Sequence, residues 1–192
     1  MVTLVTVLFG MGVAAAMAII VTVVATLTTR IRLWPPGDDS RKTVLHWGFV
    51  AVFNLSAVGV AVFQWNTWML PRPSSLVVGV LLSVSGAAVF VRSVRALSAT
   101  ETTGQAADEL YTDGLYARSR NPQYGGIIVG LVGFILLANS AHVTVLGALH
   151  VCWLVLLPFA EEPWLRAQFG EEYDRYCERV PRFIGKQTFH RN

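Results

Sequence analysis

The chain has 192 residues, of which 54% are hydrophobic and only 14% charged, whereas about 25% are charged in ordinary soluble domains. Mean hydropathy is +0.52 and the isoelectric point about 9.1; a basic chain binds nucleic acid through Lys and Arg interleaved with exposed aromatics, and no such cluster occurs, so no nucleic-acid partner is expected. Cys152 and Cys177 lie in an apolar run and a charged segment respectively, without the second pair that a zinc site or disulfide framework takes, so neither a metal nor a disulfide is expected.

A helix needs about 20 mostly apolar residues to span the hydrocarbon core, and Thr3 to Leu27, Thr43 to Phe63 and Ser75 to Val94 each supply such a run. No Lys or Arg precedes Arg30, and the first run exceeds the roughly 7–15 apolar residues of a signal peptide, so it reads as a retained membrane helix. Residues 96–123 form a polar connector with a turn signal at Asp113-Gly114. From Gly125 to Ala160 the chain is apolar again, too long for one span and interrupted at Asn139-Ser140, which predicts a tight hairpin of two short spans. Gly126, Gly130 and Gly133 on its first arm allow a close approach of helix backbones. Between Glu161 and Val180, apolar residues at Leu165, Phe169, Tyr173, Tyr176 and Val180 recur at helical spacing opposite charges. They predict an amphipathic helix along the membrane surface or over a site, with Gly170 placed to break it in two.

The expected fold class is therefore all-α: one membrane domain over residues 1–192, a helical bundle of about five transmembrane helices. Three lie in residues 1–95, and the hairpin 125–160 lies in the C-terminal half, residues 96–192. Lys and Arg are retained on the cytoplasmic side of short loops. With five spans and an outer N-terminus, Arg72 alone of the fifteen Lys and Arg falls outside; the rest, from Arg30 to Lys186 and Arg191, fall inside. The basic excess is thus a topology signal first and an attraction to anionic membrane lipids second. Trp65, Trp68, Pro71 and Pro73 mark the outer interface.

Such a hairpin brings its two open ends to one membrane face. Arg120, Asn121, Pro122, Gln123 and Tyr124 enter the first arm, and Glu161 and Glu162 leave the second. Packed helices lie roughly 8–10 Å apart, so one bound molecule can touch both groups. An arginine fork suits a carboxylate, and paired glutamates suit ribose hydroxyls or an ammonium: a constellation for a zwitterionic cofactor with a sugar. Glu161-Glu162-Pro163 equally fits the first turn of a helix, and Arg120 equally fits a boundary side chain that snorkels. Spacing leaves both readings open.

Taken in order, Gly114-Leu115-Tyr116, Arg120 to Gly126, Glu161-Glu162, Phe169 to Tyr173 and Val180-Pro181-Arg182 resemble the isoprenylcysteine carboxyl methyltransferase and phosphatidylethanolamine methyltransferase superfamily. The resemblance runs from about Phe90 to Gly185, roughly half the chain. It implies S-adenosylmethionine bound on the cytoplasmic side, with Arg120, Asn121 and Tyr124 at one end of its pocket, Glu161 and Glu162 at the other, and Leu115 and Tyr116 approaching from the connector. It also implies an acceptor that enters from the lipid, isoprenylcysteine-carboxylate-like or phospholipid-amine-like. Two departures stand out. Many relatives have His where this chain has Asn121, and an amide does not titrate near neutral pH, so no catalytic base is assigned. The isoprenylcysteine enzymes also place an arginine where Leu157 to Ala160 stand here. His46, Asn54 and His150 are polar residues in apolar runs, and read as acceptor contacts or as hydrogen bonds between helices. The remaining alternatives are a membrane reductase using NADPH on a sterol-like lipid, and a non-catalytic membrane protein that keeps the scaffold.

Overall fold

A computed structural model describes residues 2–68, 70–106 and 108–185. Lys186 and Arg191, assigned to the cytoplasmic side above, lie outside the described residues. The helices are α1 (Val2–Thr28), α2 (Ser40–Phe63), α3 (Arg72–Val94), a short α4 (Ala99–Thr102), α5 (Pro122–Ala138), α6 (Ala141–Phe169) and α7 (Glu171–Arg179), with no strand among the described residues. Four of them, α1, α2, α3 and α6, are long and apolar enough to cross a bilayer. The fifth apolar helix, α5, has 17 residues and is about 25 Å long, at the short end of what a crossing takes. The chain is an integral membrane helical bundle.

Local chemistry sets the boundaries. The Asp39 carboxylate accepts from the Arg41 and Lys42 amides and starts α2, and proline opens both α3 and α5, where its missing N–H costs nothing. Asn139 ends α5 in the left-handed region at φ 46°, and the Ser140 side chain caps α6 by accepting from the Val143 amide. This two-residue stop is the expected hairpin turn. The second arm, however, is not short: α6 has 29 residues and runs straight through Pro158 and Pro163 to Phe169. Glu161, Glu162 and Pro163 therefore lie inside a helix, and the reading of them as a helix start is corrected. Gly170 breaks the expected amphipathic helix at φ 54° and ψ −132°, a backbone conformation essentially reserved for glycine. Beyond it Tyr173 and Tyr176 of α7, with Val180 just past its end, are buried against Leu165 and Phe169 of α6, as the spacing predicts.

In the bundle α1 packs on α2 and α6, while α5 packs on α6 and α3. The glycine face of α5 meets α3, not the other arm of its hairpin. A Cβ on Gly86 would fall 2.3 Å from the Gly130 nitrogen, and one on Gly133 would fall 2.5 Å from the Ser83 nitrogen, so these helices touch backbone to backbone. The hairpin arms use a different joint, with the Ile135 side chain seated on Gly147. Residues such as Leu55, Val62, Leu81 and Val84 are exposed and face the acyl chains. At one end of the bundle the Asn66 and Trp68 amides donate to the Ala138 and Asn139 carbonyls at the hairpin turn. At the other end the two connectors, after α1 and after α3, meet each other, Gly37 N–H donating to Gly104, and the second meets the C-terminal segment, Arg120 N–H donating to Pro181. Arg72 belongs to the first end and every other Lys and Arg of the described residues to the second.

Candidate functional site

A cavity of about 370 Å³ opens at the Arg-rich end, between the connectors and helices α2, α5 and α6. Tyr116, Arg120, Asn121, Tyr124, Glu161 and Glu162 all line it. Leu115 does not: it closes a turn, its carbonyl accepting from the Arg118 and Ser119 amides at 3.1 Å. Among the other three expected residues, Asn54 and His150 line the cavity, and His46 sits behind its wall, stacked on Trp34 with ring centroids 4.0 Å apart.

The two glutamates have separate tasks. Both oxygens of Glu162 are engaged by arginine: Arg120 Nη1 donates to Oε1 at 3.1 Å, and Arg182 forms a fork, Nε to Oε1 at 2.7 Å and Nη2 to Oε2 at 2.9 Å. This bond raises the basicity of Arg182 further, and its guanidinium also lies over the Phe159 ring at 3.9 Å. Arg120 touches Cys177 Sγ as well, while its Nε is buried without a partner. Among the described residues Glu161 meets no arginine. Its Oε1 accepts from Trp34 Nε1 at 2.8 Å and from the Tyr124 hydroxyl, so both bonds fall on one carboxylate oxygen.

Tyrosines close the polar shell. Burial pushes the Tyr116, Tyr173 and Tyr176 hydroxyls above the usual phenol range, so they stay neutral; Tyr116 donates to Gln123 Oε1 at 3.1 Å and Tyr176 to the Tyr116 carbonyl at 2.7 Å. Asn121 ties down the C-terminal segment: its Nδ2 donates to the Arg182 carbonyl at 3.0 Å, beside a bond from Ser119 Oγ at 3.3 Å. An amide suffices for that task, which gives the His-to-Asn departure a physical sense.

Sequence reasoning missed Trp34 and the ion-pairing role of Arg182. The signal for Trp34 was a lone aromatic before Pro35-Pro36 in a short connector; Arg182 was counted only toward topology and motif order. Among the described residues no group of three or more His, Cys, Asp or Glu is placed to hold a metal ion.

Similarity to known proteins bears on this geometry. The cobalt-zinc-cadmium resistance protein CzcN of Cupriavidus metallidurans is 26% identical over 79% of this chain and 68% of its own length. The nickel-cobalt-cadmium resistance protein NccN of Alcaligenes xylosoxydans xylosoxydans is 29% identical over 80% of this chain and 69% of its own. The protein-S-isoprenylcysteine O-methyltransferase of Schizosaccharomyces pombe is 35% identical over a shorter stretch, 38% of this chain and 31% of its own. No solved structure matches. Residues 74–172, more than half of the chain and the segment that carries Arg120, Tyr124 and both glutamates, match phospholipid methyltransferase; the chain belongs to that family.

Proposed function

We propose that the chain moves a methyl group from S-adenosylmethionine to a lipophilic acceptor held in the membrane. The observation that carries this reading is the meeting of Arg120, Tyr124 and Glu161 in one cavity at the open end of the hairpin. The residues fit the cofactor: Arg120 has a buried Nε without a partner and suits its carboxylate, and Oε2 of Glu161 suits a ribose hydroxyl or the ammonium. Aromatic walls from Trp34, Trp47 and Tyr124 suit the adenine and the sulfonium. Glu162 and Arg182 act on Arg120 by holding it in place, a positioning role. When bound, the cofactor supplies an activated methyl on a sulfonium. The protein supplies alignment and exclusion of water, which carry much of the rate in such transfers.

A second cavity of about 210 Å³, lined by residues such as Phe53, Ala57, Leu131 and Phe134, shares Asn54 and His150 with the first. It suits the acceptor's hydrocarbon chain, and His150, buried with Nδ1 unpartnered, stands where chain and reacting head would meet. The grouping of Lys and Arg at the site end supports a cytoplasmic site and C-terminus with the N-terminus outside. Family membership favours the methyl donor over a nicotinamide, and nothing in the geometry favours the reductase or the non-catalytic reading.

The test supplies methyl-labelled S-adenosylmethionine to membranes with and without the chain, then separates the extracted lipids. A lipid fraction one methyl heavier, only where the chain is present, is the expected result. Equal labelling in both membranes contradicts the reading.

A further inference from the structure

The segment that matches the family begins at residue 74, yet one wall of the cavity comes from far upstream, in the connector between α1 and α2. Trp34 is 3% exposed there. Its backbone N–H donates to Thr26 Oγ1 at 3.1 Å, which ties it to the end of α1. Its ring stacks on His46 of α2, and the backbone beyond Pro35 and Pro36 is pinned to the 98–106 connector through the bond from Gly37 to Gly104. Gly104 packs tightly there: a Cβ on it would come within 3.3 Å of Pro35, Pro36 and the Trp34 ring. The indole is thus fixed from three sides before it reaches the site.

What it reaches is Glu161, by the 2.8 Å bond from Nε1 to Oε1. An indole N–H can only donate, so this bond dictates which carboxylate oxygen is held. The Tyr124 hydroxyl donates to the same oxygen. Two donors on Oε1 fix the rotation of the carboxylate about its last torsion and present Oε2 to the cavity. Without the indole, Tyr124 alone would leave that torsion soft, because terminal carboxylate torsions are broad.

The geometry points to Trp34 as a positioning residue for the methyl-donor site: it holds Glu161 in the orientation that binds the cofactor's hydroxyl or ammonium groups. This rests on the function proposed above and extends the site into the N-terminal half of the chain. His46 has a structural part in it, as the ring against which the indole stacks.

The experiment measures S-adenosylhomocysteine affinity by calorimetry for the full chain in detergent, comparing Trp34→Phe, Glu161→Ala and the double variant. Phenylalanine keeps the stacking and removes the N–H. Trp34→Phe is expected to weaken binding about tenfold, the loss equivalent to one net hydrogen bond, in a chain that still unfolds cooperatively. In the Glu161→Ala background, which leaves the indole no acceptor, the same change is expected to cost nothing further, the signature of two residues acting as one unit. Unchanged affinity in Trp34→Phe, or an equal loss in both backgrounds, overturns the proposal. The indole N–H proton resonance of Trp34 gives a second readout that does not need Trp34→Phe to fold. It is expected to shift when Glu161 becomes alanine, and a fixed resonance overturns the proposal. If the unsubstituted chain binds no S-adenosylhomocysteine at all, the methyl-donor reading itself fails, an outcome distinct from either of these.

Discussion

The two ends of the bundle use buried polar groups in opposite ways. At the Arg72 end, Asn139 is saturated: its Nδ2 donates to Asn66 Oδ1 and to the Trp68 and Leu70 carbonyls, and its Oδ1 accepts from the Leu70 amide. Arg72 adds a bond to the Leu137 carbonyl at 2.9 Å and lies over the Trp65 ring at 5.2 Å. That end is latched shut. At the other end Arg120 keeps an unpartnered Nε, and Glu161 takes both its bonds on one oxygen. A buried polar group left partly unsatisfied costs free energy, and its persistence beside a cavity supports the proposal that this end binds a ligand.

The largest expected effect comes from Glu162→Ala. It strands two arginines that now share one carboxylate, and breaking a buried ion pair by removing one partner costs about 3–5 kcal/mol. Thermal unfolding in detergent reads the loss, and S-adenosylhomocysteine affinity should fall with it, because Arg120 is no longer held. A change confined to one of the two readouts would separate structure from binding at this end.

Next comes the α3–α5 joint, which belongs to neither end. Gly86→Ala forces a methyl into the α5 backbone and should destabilise by about 1–3 kcal/mol. Gly130→Ala, whose Cβ meets nothing within 4 Å, should be neutral or stabilising by up to about 1 kcal/mol. Equal effects at the two positions would mean that the backbone contact is not made. The latch is tested by Asn139→Ala, which removes its hydrogen bonds and places alanine in a left-handed conformation. A loss of about 2 kcal/mol is expected, with ligand affinity per folded molecule unaltered. Weaker binding in this variant would contradict the division of labour between the ends.

The smallest effect concerns Asp39, whose pKa is held below the ordinary carboxylate value by hydrogen bonds from the backbone of Lys42 and Arg41. A depressed folded-state pKa contributes stability above the unfolded value, about 3.9, and loses it as pH falls through the folded value. The unfolding midpoint should therefore drop on acidification below about pH 4 in the native chain, and less so in Asp39→Asn.

Much of this was legible in the sequence, and the gaps have physical reasons. Apolar run length placed α1, α2 and α3 within a few residues, and Asn139-Ser140 marked the hairpin turn. The helix spacing at Leu165, Phe169, Tyr173 and Tyr176, with the break at Gly170, was equally plain. Run length could not show that α6 continues past Glu161, because charges and Pro163 end a hydropathy window without ending a helix whose far side is packed. The glycine spacing in α5 revealed a close contact but not its partner, since i, i+4 and i+7 describe one helix face and say nothing of which neighbour fills it. In the site, the meeting of Arg120 with Glu162 followed from hairpin geometry. The different roles of Glu161 and Glu162 did not, because they depend on Trp34 and Arg182, which are distant in sequence from the carboxylates they hold.

The central claim is that the open end of the hairpin binds a methyl donor, and its most direct test is calorimetric titration of the purified full chain with S-adenosylhomocysteine, with NADPH as the competitor. Saturable binding within the range common for enzyme ligands, about 1 μM to 1 mM, lost in Arg120→Ala while the thermal midpoint still shows a folded chain, is the expected result. Saturable binding of NADPH alone, or no binding of either ligand to a folded chain, would contradict the account.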